Sequence, residues 1–298
     1  MDMQWDDLRI FLAVARTESL SAAGRVLKVD PATVGRRIAR LEEGLGTPLF
    51  AKSPQGYAMT DAGQRLLGHA ERAEAAMGAA VEELAGQAGA LSGQIRIGAP
   101  DGCANFLLPQ VCAAIMADNP DLEVQIVALP RVFNLSKREA DMAIGVSPPA
   151  AGRLTVQKIT DYRLHLAASR RYLRRNPAIT TLEDLQGHRM VGYIPDMIFD
   201  KELDYLTGIG VERVALASNS VSVQFNWIRQ GGGVGIVHDF AIPSAKGLVR
   251  LLTDQVSLTR SFYLIRHADD RRMDRLNRFA AALADGIRRE VARLEAEV

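Results

Sequence analysis

Arg36, Arg37 and Arg40 stand close together, with Pro31, Ala32, Thr33 and Gly35 immediately before them. Guanidinium groups can pair with phosphate oxygens or with the acceptor edge of guanine, provided one surface presents them together. The spacing supplies such a surface. Val34, Ile38, Leu41 and Leu45 fall at i, i+4, i+7 and i+11, a narrow apolar stripe on a helix over residues 32–45. At about 100° per residue, Ala32, Arg36, Arg40 and Glu43 lie on the opposite side, with Thr33 beside them. This outward face begins small and uncharged, becomes cationic, and ends acidic at Glu42 and Glu43. The carboxylates exclude a helix laid at full length along a polyanion. They allow one that enters a groove by its N-terminal half, as a recognition helix does.

Three further segments carry groups that could do chemistry. Gly98 to Cys103 lies at the end of a strand and the start of a helix, where open α/β sheets gather ligands and helix N-termini favour anions. Pro100, Asp101, Gly102 and Cys103 are its candidate ligand contacts, and the competing reading is that Asp101 caps its own helix. The run Gly231-Gly232-Gly233-Val234-Gly235 precedes a strand and lacks the Lys-Ser/Thr of a phosphate loop, so a helix C-cap and tight turn are expected. His238-Asp239 follows the strand 234–237, where a solvated strand end is favoured over a cleft-facing pair. Ser147, Tyr193, Ile194 and His238 complete the candidate ligand set. Cys103, His238 and Asp239 are also the residue types of a nucleophile, base and orienter. No nucleophile motif surrounds Cys103, so an enzyme is the lesser reading.

The elements that position these groups can be read in order. Residues 5–17 form a first helix, with Leu8, Phe11, Leu12 and Ala15 on one face. That face should close over Val26, Leu27, Val29, Val34 and Ile38. A second helix, 21–28, has Ser21 as its N-cap, with Ala22 and Ala23 small where helices cross. Asp30 caps the third helix, and Pro31 takes its first position, where the missing N–H costs nothing.

These segments resemble the N-terminal signature of LysR-type transcriptional regulators. The likeness runs from Leu20-Ser21-Ala22-Ala23 through Val29-Asp30-Pro31-Ala32-Thr33-Val34-Gly35-Arg36-Arg37-Ile38 to Leu41-Glu42. It continues in Leu45-Gly46-Thr47-Pro48-Leu49-Phe50 and Thr60-Asp61-Ala62-Gly63. The resemblance implies a winged helix-turn-helix over residues 1–60 that binds double-stranded DNA. Pro31, Ala32, Thr33, Gly35, Arg36, Arg37 and Arg40 would lie at the DNA, and Lys52 of the wing would touch the backbone.

Thr60 can cap a long helix over 61–86. Leu66, Ala70, Ala73, Met77, Ala80 and Leu84 alternate steps of four and three along it, a heptad seam. The resemblance makes this a dimerisation helix; packing on its own domain would give a similar stripe. Residues 87–93 form the hinge, so 61–90 is linker. From residue 94 short strands and helices alternate, which argues a parallel or mixed α/β sheet. The sequence suggests a helix over 105–117 containing Pro109 and a strand pair within 155–168. Helices are expected near 170–174 and 182–186, and strands at 189–193 and 213–217. By resemblance, 91–298 is a periplasmic-binding-protein-like domain of two subdomains joined by two crossing strands. Subdomain I would span about 91–160 plus 267–298, and subdomain II about 161–266, with an effector in the cleft. Such a domain alone would suit a solute-binding protein, but not the first sixty residues.

Composition bounds the rest. The chain has 298 residues, 48% hydrophobic and 24% charged, with a net charge of +1, so a DNA partner rests on local placement and not on overall charge. The acidic start, Met1 to Asp7, lacks an apolar signal core, and no apolar run is long enough for a bilayer. Cys103 and Cys112, nine positions apart on one expected helix, face opposite ways and cannot pair. With no Cys/His cluster, neither a metal nor another cofactor is expected. The sum is a cytoplasmic regulator, dimeric through its linker helix and paired into a homotetramer, with RNA polymerase as a further partner.

Overall fold

The computed structural model describes residues 4–53, 56–84, 91–128, 140–211, 213–268, 270 and 273–298. The chain divides into two units, one built on residues 1–88 and the other on most of the remainder.

In the first unit, α1 (Trp5–Thr17), α2 (Leu20–Leu27) and α3 (Pro31–Leu45) enclose a core. Leu8, Phe11, Leu12 and Ala15 of α1 are buried there with Val34, Ile38 and Leu41 of α3. Val26, expected inside, is 68% exposed. The cap of α2 is Ser19, whose Oγ accepts from the Ala22 N–H at 3.3 Å, so Ser21 falls within the first turn. Asp30 caps α3 through the Ala32 N–H at 2.8 Å, and Pro31 opens the helix. Ala23 is fully buried, and a Cβ on Gly24 would stand 2.5 Å from the Val29 carbonyl oxygen. Only glycine lets the chain turn that tightly from α2 into α3.

Strands β1 (Phe50–Ser53) and β2 (Gly56–Met59) form the antiparallel wing. Leu49 and Phe50 anchor it in the core. Glu42, read from the sequence as the acidic end of α3, has a second role: its Oε1 accepts from the Leu49 N–H at 2.7 Å and the Phe50 N–H at 3.1 Å. The recognition helix therefore holds the wing through a charge-assisted pair of bonds.

Thr60 accepts from the Gly63 N–H at 3.1 Å at the start of α4 (Asp61–Leu84). The first half of the expected seam is used within this unit: Ala70 is fully buried, and Leu66 and Ala73 pack against the same core. Arg16 of α1 also pairs with Glu74 through both carboxylate oxygens. Met77 is 52% exposed. The side chains of Ala80 and Leu84, and the hinge at 85–90, lie outside the described residues.

In the second unit, β3 (Gly93–Ala99) is followed by α5 (Asp101–Phe106) and α6 (Leu108–Ala117). The single helix expected at 105–117 is broken at Leu107, because Pro109 has no N–H for a preceding turn and sits instead in the first turn of α6. Cys103 and Cys112 consequently lie on different helices, both as buried free thiols. Next come β4 (Leu122–Ala128), β5 (Met142–Gly145) and β6 (Leu154–Ser169), a single 16-residue strand where a strand pair was expected. After α7 (Arg170–Leu173), the expected helix near 182–186 is a 3₁₀ turn, Glu183–Gly187. Strands β7 (Met190–Gly192) and β8 (Leu216–Ala217) are shorter than their sequence patterns suggest. Then follow α8 (Val221–Arg229), β9 (Val234–His238), β10 (Leu248–Leu251), β11 (Ser257–His267) and α9 (Asp274–Glu295).

The strands join in the order β4-β3-β5-β11-β6-β9-β7-β8, with β10 on β6. β11 runs antiparallel to β6 along its whole length, up to His165 of β6. One end of β11 pairs with β5, and the far end of β6 pairs with β9. They are the two crossing strands. Gly231, at φ +80, turns the chain from α8 toward β9, so the glycine cluster is a helix terminus. Phe279, Leu283, Ile287 and Val291 bury one face of α9, and Gly286 meets Val111 of α6. Among the described residues, no helix is long and apolar enough to cross a membrane.

Candidate nucleic-acid interface and effector cleft

The N-terminal half of α3 is the open part of the first unit. Pro31, Ala32 and Arg36 are exposed, and Thr33 and Gly35 are half-buried. Arg36 Nη2 donates to Thr33 Oγ1 at 3.0 Å, and among the described residues it meets no carboxylate. The other two arginines are drawn back onto α1. Arg40 donates to Asp7 from Nε at 2.9 Å and from Nη2 at 2.5 Å. Arg37 lies 3.4 Å from Asp6 and 3.7 Å from Asp7. Asp7 is buried, so these contacts hold α3 on α1, although the Arg40 side chain stays 51% exposed; Arg36 is exposed without such a tether among the described residues. Lys52 lies in β1; its side chain is outside the described residues.

The second unit contains a small cavity of about 20 Å³. Pro100, Asp101, Gly102, Cys103, Tyr193 and His238 of the expected ligand set line it, whereas Ile194 and Ser147 do not. Ser147 instead donates its hydroxyl to Asp200 Oδ2. Sequence reasoning missed Tyr162, Phe199, Leu203, Tyr205 and Phe262, which line the same space together with Val146, Asn219 and Val221. An aromatic spaced along a strand signals burial in general, and only the sheet register decides which cavity it faces. Tyr162 stacks on Phe262 at a ring separation of 4.2 Å, and His238 lies 5.4 Å from Tyr162 and 4.9 Å from Phe240.

Asp101 does not cap its own helix, one of the two readings its position suggested. The N-cap of α5 is Pro100, without a side-chain bond. The Asp101 carboxylate reaches α8 instead, where Oδ2 accepts from Ser220 Oγ at 3.0 Å and from the Ser222 N–H at 2.7 Å. Oδ1 accepts from Asn105 at 3.1 Å. Asp101 thus caps a helix other than its own while lining the cavity. It and the Ser147–Asp200 bond are two latches across the cleft.

His238 and Asp239 are buried, which overturns the solvated strand end. They also serve different structures. Burial lowers the His238 imidazole to about 4, so it is neutral near pH 7. Its Nδ1 has no hydrogen-bond partner among the described residues. Asp239 binds His165 Nδ1 at 2.8 and 2.9 Å, and Arg250 Nη1 at 3.1 Å. Burial pushes the Cys103 thiol far above its ordinary value, which suppresses the thiolate a nucleophile needs. The three residues do not form a relay. His238, neutral, does not compensate an anion in the cleft. Among the described residues no cluster of His, Cys, Asp or Glu is placed to hold a metal ion.

Comparison with known proteins agrees with this architecture. The LysR substrate binding domain matches residues 88–288, and the bacterial regulatory helix-turn-helix of the lysR family matches residues 5–64. The HTH-type transcriptional regulator PtxR of Pseudomonas aeruginosa is 27% identical over 253 residues, covering 82% of this chain and 80% of that protein. The transcriptional activator TtdR of Escherichia coli K12 is 27% identical over 239 residues, covering 76% and 75%. A full-length OxyR variant from Pseudomonas aeruginosa shares the fold, with a TM-score of 0.70 at 19% identity, covering 96% of this chain and 98% of that one. A winged helix-turn-helix, a long helix and a two-lobed α/β domain on crossing strands therefore have one reading: the chain belongs to the LysR family of bacterial transcriptional regulators, which bind DNA and respond to a small-molecule effector.

Proposed function

We propose that α3 reads its operator through Arg36, and that the cavity beside Asp101 is where the effector acts. The observation that carries the DNA assignment is the division of labour among the arginines: Arg37 and Arg40 are held by Asp6 and Asp7, while Arg36 faces outward with Thr33. Pro31, Ala32, Thr33 and Gly35 keep the approach to the groove narrow, and Lys52 contacts the backbone. Replacing Arg36 by alanine is expected to cost about 1–3 kcal/mol of operator affinity and to relax preference at one base pair. Fluorescence anisotropy on single-base variants of an operator selected from random DNA measures this. An equal loss on every variant would make Arg36 a phosphate contact.

In this reading the cleft is a two-state element. The latches at Asp101 and Ser147 hold one state, and an effector that binds the other more tightly shifts the balance and so the DNA complex. Residues 1–60 serve as the DNA-binding domain, 61–90 as linker and 91–298 as effector domain. The protein acts in the cytoplasm, without catalytic chemistry, as a homodimer through α4 that pairs into a homotetramer and works with RNA polymerase.

The packing of α4 selects the test of the dimer. Ala73 supports its own domain's core, so a charge there would damage the fold. Met77 is exposed and belongs to the seam, so Met77→Glu is expected to release folded monomers with weak operator binding. Sedimentation velocity showing the native assembly in this variant would place the dimer contact elsewhere.

A further inference from the structure

We propose that the effector cavity accepts an organic ammonium ion carrying an apolar body and rejects carboxylates, with Tyr205 as the movable wall between it and the larger pocket alongside. The proposal rests on reading the cleft as the effector site and names the chemistry that site selects.

Charge is the first argument. A second pocket of about 660 Å³ adjoins the cavity, bounded by β7, α8, residues between 195 and 211, and Val214. Among the described residues lining the two spaces, the formally charged side chains are Asp101 and Asp204, and none is a lysine or arginine. Arg260, whose charge reaches Tyr205 and Tyr162, is paired with Glu202 at 3.0 Å. The remaining titratable groups are neutral: the imidazole of His238 because burial disfavours its cation, and the tyrosines and Cys103 because burial disfavours their anions. A carboxylate would therefore enter against two like charges, with no counter-ion among the described lining residues. Aromatic rings attract the opposite kind of ion, because their faces are electron-rich.

Hydrogen bonding is the second argument. His238 Nδ1 and the Tyr205 hydroxyl are buried without well-formed hydrogen bonds, although both residues are less than 10% exposed. Such groups are costly unless something completes them. An ammonium group brings three donors and no acceptor. A neutral imidazole nitrogen, a phenolic oxygen and the Oδ1 of Asp101 are the acceptors that this wall offers.

Size decides how the ligand is housed. A space of about 20 Å³ holds little more than one water-sized group, enough for the charged head alone. The larger pocket lies within the usual range for small ligands. Tyr193, Leu203 and Tyr205 line both spaces. The Tyr205 ring touches Tyr193 edge-on at 5.8 Å, and its hydroxyl keeps a weak contact with the Tyr193 hydroxyl that turning the ring would break. Turning it joins the two volumes, with the head at Asp101 and the apolar body among Ile198, Leu206, Val211 and Val214.

The test uses the full-length protein and matched pairs: benzylamine with benzoate, and cyclohexylamine with cyclohexanecarboxylate. Each is titrated by calorimetry at millimolar concentration. The amine of each pair is expected to bind and the acid not. Asp101→Asn, which keeps an acceptor for Ser220 and Ser222, should weaken amine binding about tenfold or more. An acid that binds more tightly than its amine, or amines that do not bind at all, would overturn the proposal. Operator affinity measured on the same samples separates the two readings. Amines that bind without changing it uphold the ligand class and remove the cleft as the switch. A response to the acids alone upholds the switch and removes the ligand class.

Discussion

Asp239→Ala is expected to destabilise the effector domain by about 3–5 kcal/mol, the largest effect of any single substitution considered. Asp239 is 1% exposed and both its carboxylate oxygens are engaged, with His165 of β6 and with Arg250 of β10. Arg250 in turn donates to the main-chain oxygen of Val298 at 2.8 Å. One carboxylate thus joins two strands, the turn after β9 and the segment following α9. Alanine would leave an imidazole and a guanidinium facing an emptied site, and unpaired buried charge is costly. Because the Arg250 side chain keeps 28% exposure and can turn to water, the lower end of the range is expected. Asp239→Asn retains an acceptor for one partner and should lose about 1–2 kcal/mol. Urea unfolding followed by far-ultraviolet circular dichroism reads both. A wild-type midpoint in the alanine variant would show that the network contributes nothing net.

The second large effect is a loss of stability in acid that is traceable to His238. Its folded-state value lies at about 4, below the ordinary 6.5, because a charged imidazole among Tyr162, Tyr205 and Phe240 would be poorly solvated. Between those two pH values the unfolded chain takes up a proton that the folded protein refuses. Stability therefore rises with pH across this window. The contribution is fully present above pH 6.5 and is lost progressively as pH falls toward 4. At about 1.4 kcal/mol per pH unit the loss amounts to roughly 3 kcal/mol. His238→Gln has nothing to protonate, so its urea midpoint should fall correspondingly less between about pH 7 and pH 4. Parallel decline of the two proteins would assign the acid sensitivity to other groups.

Both effects arise at a dipeptide that the sequence pattern placed in solvent, and the reason marks the limit of sequence reading here. Local signals were sufficient where the determining interactions are local. Asp30-Pro31 starts α3 because a cap and a missing N–H act within one turn. The stripe Val34, Ile38, Leu41 faces the core because helical periodicity leaves no other choice. The alternation of strand and helix after residue 93 yields an α/β domain for the same kind of reason. Where partners come from afar, sequence alone was silent or ambiguous. Ala70 lies on a stripe that suits a partner helix or its own domain equally, and only the position of α1 assigns it to the latter. Arg40 and Arg36 share a helix face, yet Asp7, thirty-three residues before Arg40, draws one back and leaves the other outward. Asp101 can cap its own helix by every local rule; α8 reaches it from more than a hundred residues away and offers two better donors. His238 and Asp239 are adjacent, but β9 pairs with β6 so that one side chain enters the aromatic cavity and the other meets His165. Helix caps and periodicity are properties of a few consecutive residues, whereas burial and charge pairing belong to the assembled sheet, whose register brings those distant groups together.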